Sequence, residues 1–464
     1  MSDFDPKHAD RTIANDLNRM TAGQREIVYD DIHGVRNLRM EETTPSKLVE
    51  CLSLMNDAIK RIGNKSAYDE ACKLNSRYVL RNNQFRIIFL RAEEYDIDKA
   101  AQRFVNYLDV FYNFFGMKAL MRPIYYNDLE KSDQTHVREG VHQLLPCRDR
   151  TGRRIMTRIG NMGSSNQSQS TPSMLRAVMY LFQVLSSDEQ TQKYGCVMVF
   201  YGGLAAGEIA TGETSFLKEK NLKGTMNNLL GAFPIRISAI HICYPDTLVY
   251  QIGAAAIMLF APSFMRVRVR KHMAYGIPGD HLPLTSSGRI KTTNHLRWLA
   301  TQREREGCIQ MGQPPFQGID CPLVMDILIG NAGPSFGNNL GNIKYREIIE
   351  SYYMKYDNAA DTQGKTRISW QVLEDLTKLG GRILVRDRRG WWTVANVDRA
   401  REKIGHDFRE IRRQLAAVKK RSQNHSSTMT FARLDGKRSK TSKGGIGDGG
   451  GEGDECGIRQ CFVP

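Results

Sequence analysis

Arg266, Arg268, Arg270 and Lys271 follow at once on nineteen residues without a charge, 247–265, and this junction is where the chain could do chemistry. In extended form the three arginines point to one side while Val267 and Val269 point to the other. A row of guanidinium groups suits phosphate recognition, and each charge near an anionic leaflet contributes on the order of 1 kcal/mol; a solvated edge strand would carry the same pattern. Elsewhere the reactive residues are thinly spread. His241 lies in an apolar run, Ile240, His241, Ile242, where a hydrogen-bonded core residue is expected, and Glu93 with Glu94 reads as a solvated face. HExxH, GxSxG, P-loop and strand-linked Rossmann patterns are absent. A non-enzymatic protein without metal or cofactor is therefore expected.

The uncharged run approaches the roughly 20 apolar residues of a membrane span. As a helix it would place Leu248, Ile252, Ala255, Ala256, Leu259 and Phe260 on one face, while Val249, Gly253, Ile257 and Phe264 make the other face apolar too. Such a helix must be buried or lie against lipid. Gln251 interrupts it, Pro262 ends it, and an anchor here would split the surrounding domain. Two readings stay open: a core helix, or a lid over a lipid cavity that opens against a bilayer. Each buried methylene contributes about 0.8 kcal/mol, so a sealed cavity would hold a long acyl or prenyl chain by roughly 10 kcal/mol or more.

These groups must be positioned by the elements around them. Residues 1–75 are polar with patches of helical periodicity, and loosely ordered helices are expected there. From Asn82, Phe85, Ile88, Phe89, Ala100, Phe104, Tyr107 and Leu108 recur at three- and four-residue steps, which predicts an antiparallel helix pair broken near Tyr95. Strand character follows at 141–145, 154–159, 196–201 and 237–243, with helical segments at 173–185 and 216–230 between the later strands. This is the order of an α/β domain. A Ser/Gly/Asn/Gln loop is expected at 163–170 and a linker over 281–322, which includes the proline-rich 312–322. A small α+β unit is predicted over 323–415: helices 344–356 and 369–379, strands 382–386 and 391–394 around the turn 387–390, and a helix 398–415.

The net charge of +16 is unevenly placed, because 412–443 holds ten basic residues against Asp435 alone. The tail, 416–464, ends in GGIGDGGGEGDECG and is expected to be disordered. The nine cysteines form no CxxC pair, and residues 1–10 have three aspartates and no apolar core. A cytoplasmic protein with reduced thiols is the expectation.

Residues 83–116, with Phe89, Leu90, Arg91, Ala92, Tyr95, Asp96 and Ala100, then RDRTGRRI from Arg148, the strand 197–200, and FPIRISAIHICYP ahead of the apolar run and RVRVRKHMAYG, together resemble the CRAL-TRIO (Sec14-like) lipid-transfer family over about 80–280. The resemblance implies a helical N-lobe at 76–135, a mixed sheet forming the floor of a lipid pocket within 136–280, and a gate helix at 247–264. It implies a pocket lined by Met198, Phe200, Ile237, Ile242, Tyr244, Leu248, Ile252, Leu259 and Phe260. A basic residue after the FPx motif that helps bind phosphoinositide falls on Arg236, and Arg266, Arg268, Arg270 and Lys271 would meet the same anionic surface. The implied protein docks transiently on phosphoinositide-containing membranes. Two departures stand out: Cys243, Tyr244 and Pro245 replace the family's Asn-x-Pro, and Glu93 stands where relatives often have a second arginine.

The second unit resembles a domain of unknown function common in diatoms and related algae, through Asp326, Leu328, Gly330, Gly341, Asn342, Tyr345, Arg346, Gly380, Gly381, Arg382, Gly390, Trp391, Trp392, Ala400, Arg401 and Ile404. Gly330, Asn331 and Ala332 depart from its usual glycine-arginine-glycine. With Arg386, Arg388 and Arg389 on its turn, the hairpin could act as a wing on nucleic acid; a protein-interaction module or a structural role fits equally. The alternative function is thus a regulatory or scaffold protein whose basic C-terminal domain and tail bind nucleic acid or an acidic protein partner.

Overall fold

The computed structural model describes residues 5–34, 44–149, 151–160, 171–202, 222–245, 251–252, 254–255, 258–259, 261–274, 292–329 and 339–434, and the described part of the first seventy-five residues is mostly helical. Here α1 (Pro6–Asn18) is capped by Asp5, and α2 (Ala22–His33) by a reciprocal Thr21/Gln24 box. Gly34 ends α2 at φ 59°, and a Cβ there would lie 2.8 Å from Arg153 Nη2. The left-handed backbone is what calls for glycine there. Next come α3 (Pro45–Arg61), α4 (Ser66–Lys73) and α5 (Arg77–Leu80). Leu52, Met55, Ala58 and Ile59 recur at helical spacing and bury one face of α3, which packs on α7. The expectation of loose helices gives way here, because short amphipathic helices that are marginal alone gain their stability from a partner.

The predicted helix pair is present as α6 (Asn83–Ala92) and α7 (Ile97–Phe115), capped by Asn82 and Asp96. Glu94 and Tyr95 turn the chain between them at φ 51° and 64°. Phe85, Phe89, Phe104 and Tyr107 meet edge to face with centroids 5.1–5.8 Å apart, the geometry aromatic quadrupoles favour. After α8 (Lys118–Met121) and α9 (Lys131–Glu139) the sheet begins.

Its strands are β1 (His142–Arg148), β2 (Arg154–Gly160), β3 (Cys196–Gly202), β4 (Ile237–Pro245) and β5 (Val269–Ala274), in the spatial order β1-β2-β3-β4-β5. The first pair is antiparallel and the rest are parallel. Between them run α10 (Thr171–Ser186), α11 (Glu189–Tyr194), α12 (Leu222–Ala232) and α13 (Ser263–Arg266). Every parallel step moves the same way across the sheet. On the core side one row crosses all five strands: Leu144, Met156, Met198, Ile240 and Val269, all buried.

The expected linker is instead largely ordered. It contains α14 (Thr292–Gln310), and beyond it Cys321 is buried while Asp320 accepts from Arg154 at 2.6 Å and from the Trp298 indole at 3.1 Å. Prolines suggested an open tether, yet the segment supplies the counter-charge for a buried strand arginine. Although burial opposes both charges, Arg154 and Asp320 hold each other ionised, raising the guanidinium pKa and lowering that of the carboxyl.

By internal contacts the chain divides into Met1–Val324 with Val385–Thr393, and Met325–Leu384 with Val394–Pro464. In the C-terminal part, β6 (Ile327–Ile329), α15 (Leu340–Asp357), α16 (Thr362–Lys378), β7 (Ile383–Arg386), β8 (Trp392–Val394) and α17 (Val397–Leu434) follow in order, with a three-stranded sheet β6-β7-β8. The predicted helix-helix-hairpin-helix order holds, and the last helix runs well past 415. Tyr345, Ile349, Tyr356, Val372, Leu376, Ile383, Ile404 and Phe408 form a core of their own. Asp326 is fully buried and held by Arg382 through two bonds of 3.0 and 2.7 Å. The loop 163–170, and the tail from 435 onward, lie outside the described residues.

Two buried imidazoles give the fold an acid sensitivity. Burial, reinforced by the charge of Arg158 and by His136, holds His142 well below its ordinary pKa of 6.5, and burial lowers His295 too. An unfolded chain would take up these protons first, so their contribution is complete at neutral pH and is lost as pH falls below about 6.5. Glu306, raised by its own burial, contributes with the opposite sign. The melting temperature should fall between about pH 7.5 and about pH 5, and His142→Phe should flatten that slope in melts followed by circular dichroism.

Candidate site: the arginines around the sheet

The junction at Arg266 is not a ladder. Ser263–Arg266 is a helical turn, Val267 has helical φ and ψ, and the strand begins only at Val269. Arg266 is therefore turned inward and buried: Nε donates to Met258 O at 2.7 Å, Nη2 to Ala261 O at 2.7 Å, and Nη1 pairs with Asp16 of α1 at 2.5 Å. It satisfies carbonyls at the end of the uncharged run, groups that a helix C-terminus leaves open.

Arg236 and Arg268 converge on Asp31 of α2. Arg236 Nη1 lies 3.1 Å from Asp31 Oδ1 and 2.8 Å from Glu94, while Arg268 Nη2 lies 3.2 Å from Asp31 Oδ2 and its Nη1 donates to Phe264 O at 2.6 Å. Arg153 also donates to the Asp31 carbonyl and is held by Asp149 at 2.6 Å. The Asp31 side chain is 2% exposed, so one buried carboxylate serves two guanidinium groups. Arg270 is half-buried and its pKa is lowered by that burial. Of Lys271 only the backbone is described, at a β5 position opposite Ile242. The basic residues chosen from sequence thus cluster in part, but around acids from α1, α2 and the α6–α7 turn. Asp16 and Asp31 were missed, and Glu94, read as part of a solvated face, instead pairs with Arg236; the capping box of α2 and Gly34 were the signals that an ordered helix would bring Asp31.

The apolar candidates are mostly core. Met198, Ile237 and Ile242 are buried, and Phe200 and Leu259 are half-buried against the same cluster. Residues 251–252, 254–255 and 258–259 are helical; Ala254, Ala255 and Met258 are buried, and Ile252 is half-buried. Leu248 and Phe260 lie outside the described residues, as does the Tyr244 side chain. His241 is half-buried, between Val199 and Arg270 in register. Among the described residues no helix is long and apolar enough to cross a membrane, and no cluster of His, Cys, Asp or Glu could hold a metal ion. A pocket of about 130 Å³ near the end of α7 is lined by Phe114, Phe115, Asp128 and Asp133; Arg122 holds Asp128 and Arg176 holds Asp133.

The hairpin turn differs from a free wing. Trp391 and Trp392 are buried, Ile319 bridges Trp392, and Arg389 pairs with Glu304 at 2.8 Å while lying 5.5 Å over the Phe316 ring. Arg388 stays exposed. The residues that carried the second resemblance have backbone duties: a Cβ at Gly341 would lie 2.3 Å from Asp326 O, and the Asn342 side chain brackets Leu328 N and O. The 330–332 departure lies outside the described residues.

If Arg266 is internal glue, Arg266→Met should destabilise the protein by roughly 3 kcal/mol, since it leaves buried carbonyls and Asp16 without their partner. A surface headgroup ligand would change stability by less than about 0.5 kcal/mol. Urea unfolding of the variant distinguishes the two.

Among known proteins, residues 326–410 match the family described as Domain of unknown function (DUF6824). No curated protein is similar to the chain. The C-terminal part is thereby similar to that family, as its own residues suggested.

Proposed function

We propose that the first unit binds a small hydrophobic lipid on the core-facing side of its five-stranded sheet, without catalysing a reaction. It would deliver or sense that lipid while docked on an anionic, phosphoinositide-containing membrane, in the manner of the CRAL-TRIO (Sec14-like) family it resembles. The observation that carries the reading is the segment between β4 and β5. Its small residues Ala254 and Ala255 are buried, Ile252 and Leu259 are only half-buried, and Phe264 at its end is exposed. A helix with one side in the core and apolar groups left toward solvent suits a gate better than a purely internal strut. Phe200, half-buried in the middle strand, is apolar surface on the same side of the sheet.

A second reading rests on the basic run 412–443, which carries nine of the sixteen net charges. It makes the C-terminal part a binder of nucleic acid or of an acidic protein, with the first unit as sensor or support. A salt-dependent gel shift by the full-length protein, lost on replacing the basic residues of that run by glutamine, would favour it.

Delipidated protein should take up a hydrophobic ligand from vesicles, and Leu259→Glu should cut that uptake by at least about tenfold while the fold is retained, since one apolar side chain at a ligand is worth that much. Absence of uptake by the wild type defeats the proposal. Global unfolding of Leu259→Glu, seen by circular dichroism, would make the segment a core helix only.

A further inference from the structure

Arg158 is the one arginine of the sheet's described core face without a partner. It follows Met156 by two residues on β2 and so shares the side of the apolar row. Its neighbours across the strands are His142 on β1 and Phe200 on β3, with Ile242 next along on β4. Arg148, Arg153 and Arg154, on or beside the same strands, each meet a carboxylate. Arg158 has no hydrogen bond or ion pair among the described residues, and burial lowers its pKa with no neighbouring charge to offset it. His142, 7% exposed, leaves Nδ1 buried without a hydrogen-bond partner.

Exposure differs along these two rows. Met156, Met198 and Ile242 are sealed, whereas Arg158 and Phe200 keep part of their surface. Both lie toward the C-terminal ends of parallel strands, where open α/β sheets receive ligands. A guanidinium that gives up part of its water without gaining a counter-ion bears a cost, and a bound anion would reduce it.

We propose that Arg158, with His142 beside it, forms the polar end of an amphipathic-ligand site whose apolar wall begins at Phe200, and that the ligand is a long-chain acid held by its carboxylate. This deepens the lipid-binding reading and rests on it. The guanidinium can give a carboxylate two parallel N–H bonds, and a neutral imidazole has one N–H to add. A guanidinium beside a neutral imidazole thus suits a planar carboxylate head. The arginines at Asp31 and Asp16 are already engaged by the protein's own acids.

The test uses the full-length delipidated protein with oleate and oleyl alcohol, which share a chain and differ at the head. Calorimetry should show oleate binding at least about tenfold more tightly, and Arg158→Gln should weaken oleate far more than the alcohol, removing most of that difference. Oleate should also raise the His142 pKa, followed by NMR, because the anion counters the guanidinium charge; a purely structural arginine would not move it. Equal affinities for acid and alcohol overturn the carboxylate subsite but leave lipid binding standing. Failure of both ligands to bind overturns the two readings together. A preference for oleate that survives Arg158→Gln places the carboxylate elsewhere and also overturns the proposal. If the variant does not fold, the wild-type comparison of the two heads and the His142 shift decide.

Discussion

A guanidinium taken out of water costs several kcal/mol unless a counter-charge comes with it, and the first unit is organised around meeting that condition. Its strands and their flanks are rich in arginine, so folding the sheet brings cations into the interior. Asp31 answers for Arg236 and Arg268, Asp16 for Arg266, Asp149 for Arg153, Asp188 for Arg148 and Asp320 for Arg154. These acids come from α1 and α2, from the β1-β2 turn, from the start of α11 and from the stretch after α14. Segments that look peripheral are thereby drawn into the body of the domain. Surface ion pairs contribute little, but here one partner of each pair is nearly or fully enclosed, and removing either would strand a charge.

The same condition shapes the uncharged run. Arg266 binds the carbonyls of Met258 and Ala261, at the end of the run, while reaching Asp16. The run is anchored to the N-terminal helix by one side chain. Glu94, held with φ at 51° in the turn between α6 and α7, adds a carboxylate to Arg236. Left-handed backbone at a non-glycine residue is uncommon, and this one brings the helical lobe into the arginine cluster. Arg158 is the exception that the proposed ligand would resolve.

In the C-terminal part the logic is steric as much as electrostatic. Gly341 and Gly381 lie so close to the backbone before β6 that a Cβ would meet Met325 O or Asp326 O. Asn342 supplies the hydrogen bonds of a missing strand neighbour to Leu328, and Tyr345 ties α15 to Asp407 at 2.7 Å. These residues lie within the stretch that matches the family, and each has a structural task in view.

The sequence by itself determined what is local. The aromatic spacing from Phe85 to Leu108 set two helices and their break near Tyr95. Alternating strands and helices set the α/β order, and the hairpin at 387–390 was legible from its turn residues. These features follow from periodicity and backbone preference within a few residues. Tertiary structure decided which charges meet. Nothing near Arg236 in sequence announces Asp31, some two hundred residues away, and nothing in RVRVRK shows that Arg266 belongs to a helical turn while Val269 begins the strand. A pattern of cations is the same whether it faces a membrane, a phosphate or a buried carboxylate. Only the folded chain brings the acids close enough to tell, because the cost of burying a charge is settled by its partner and not by its neighbours along the chain.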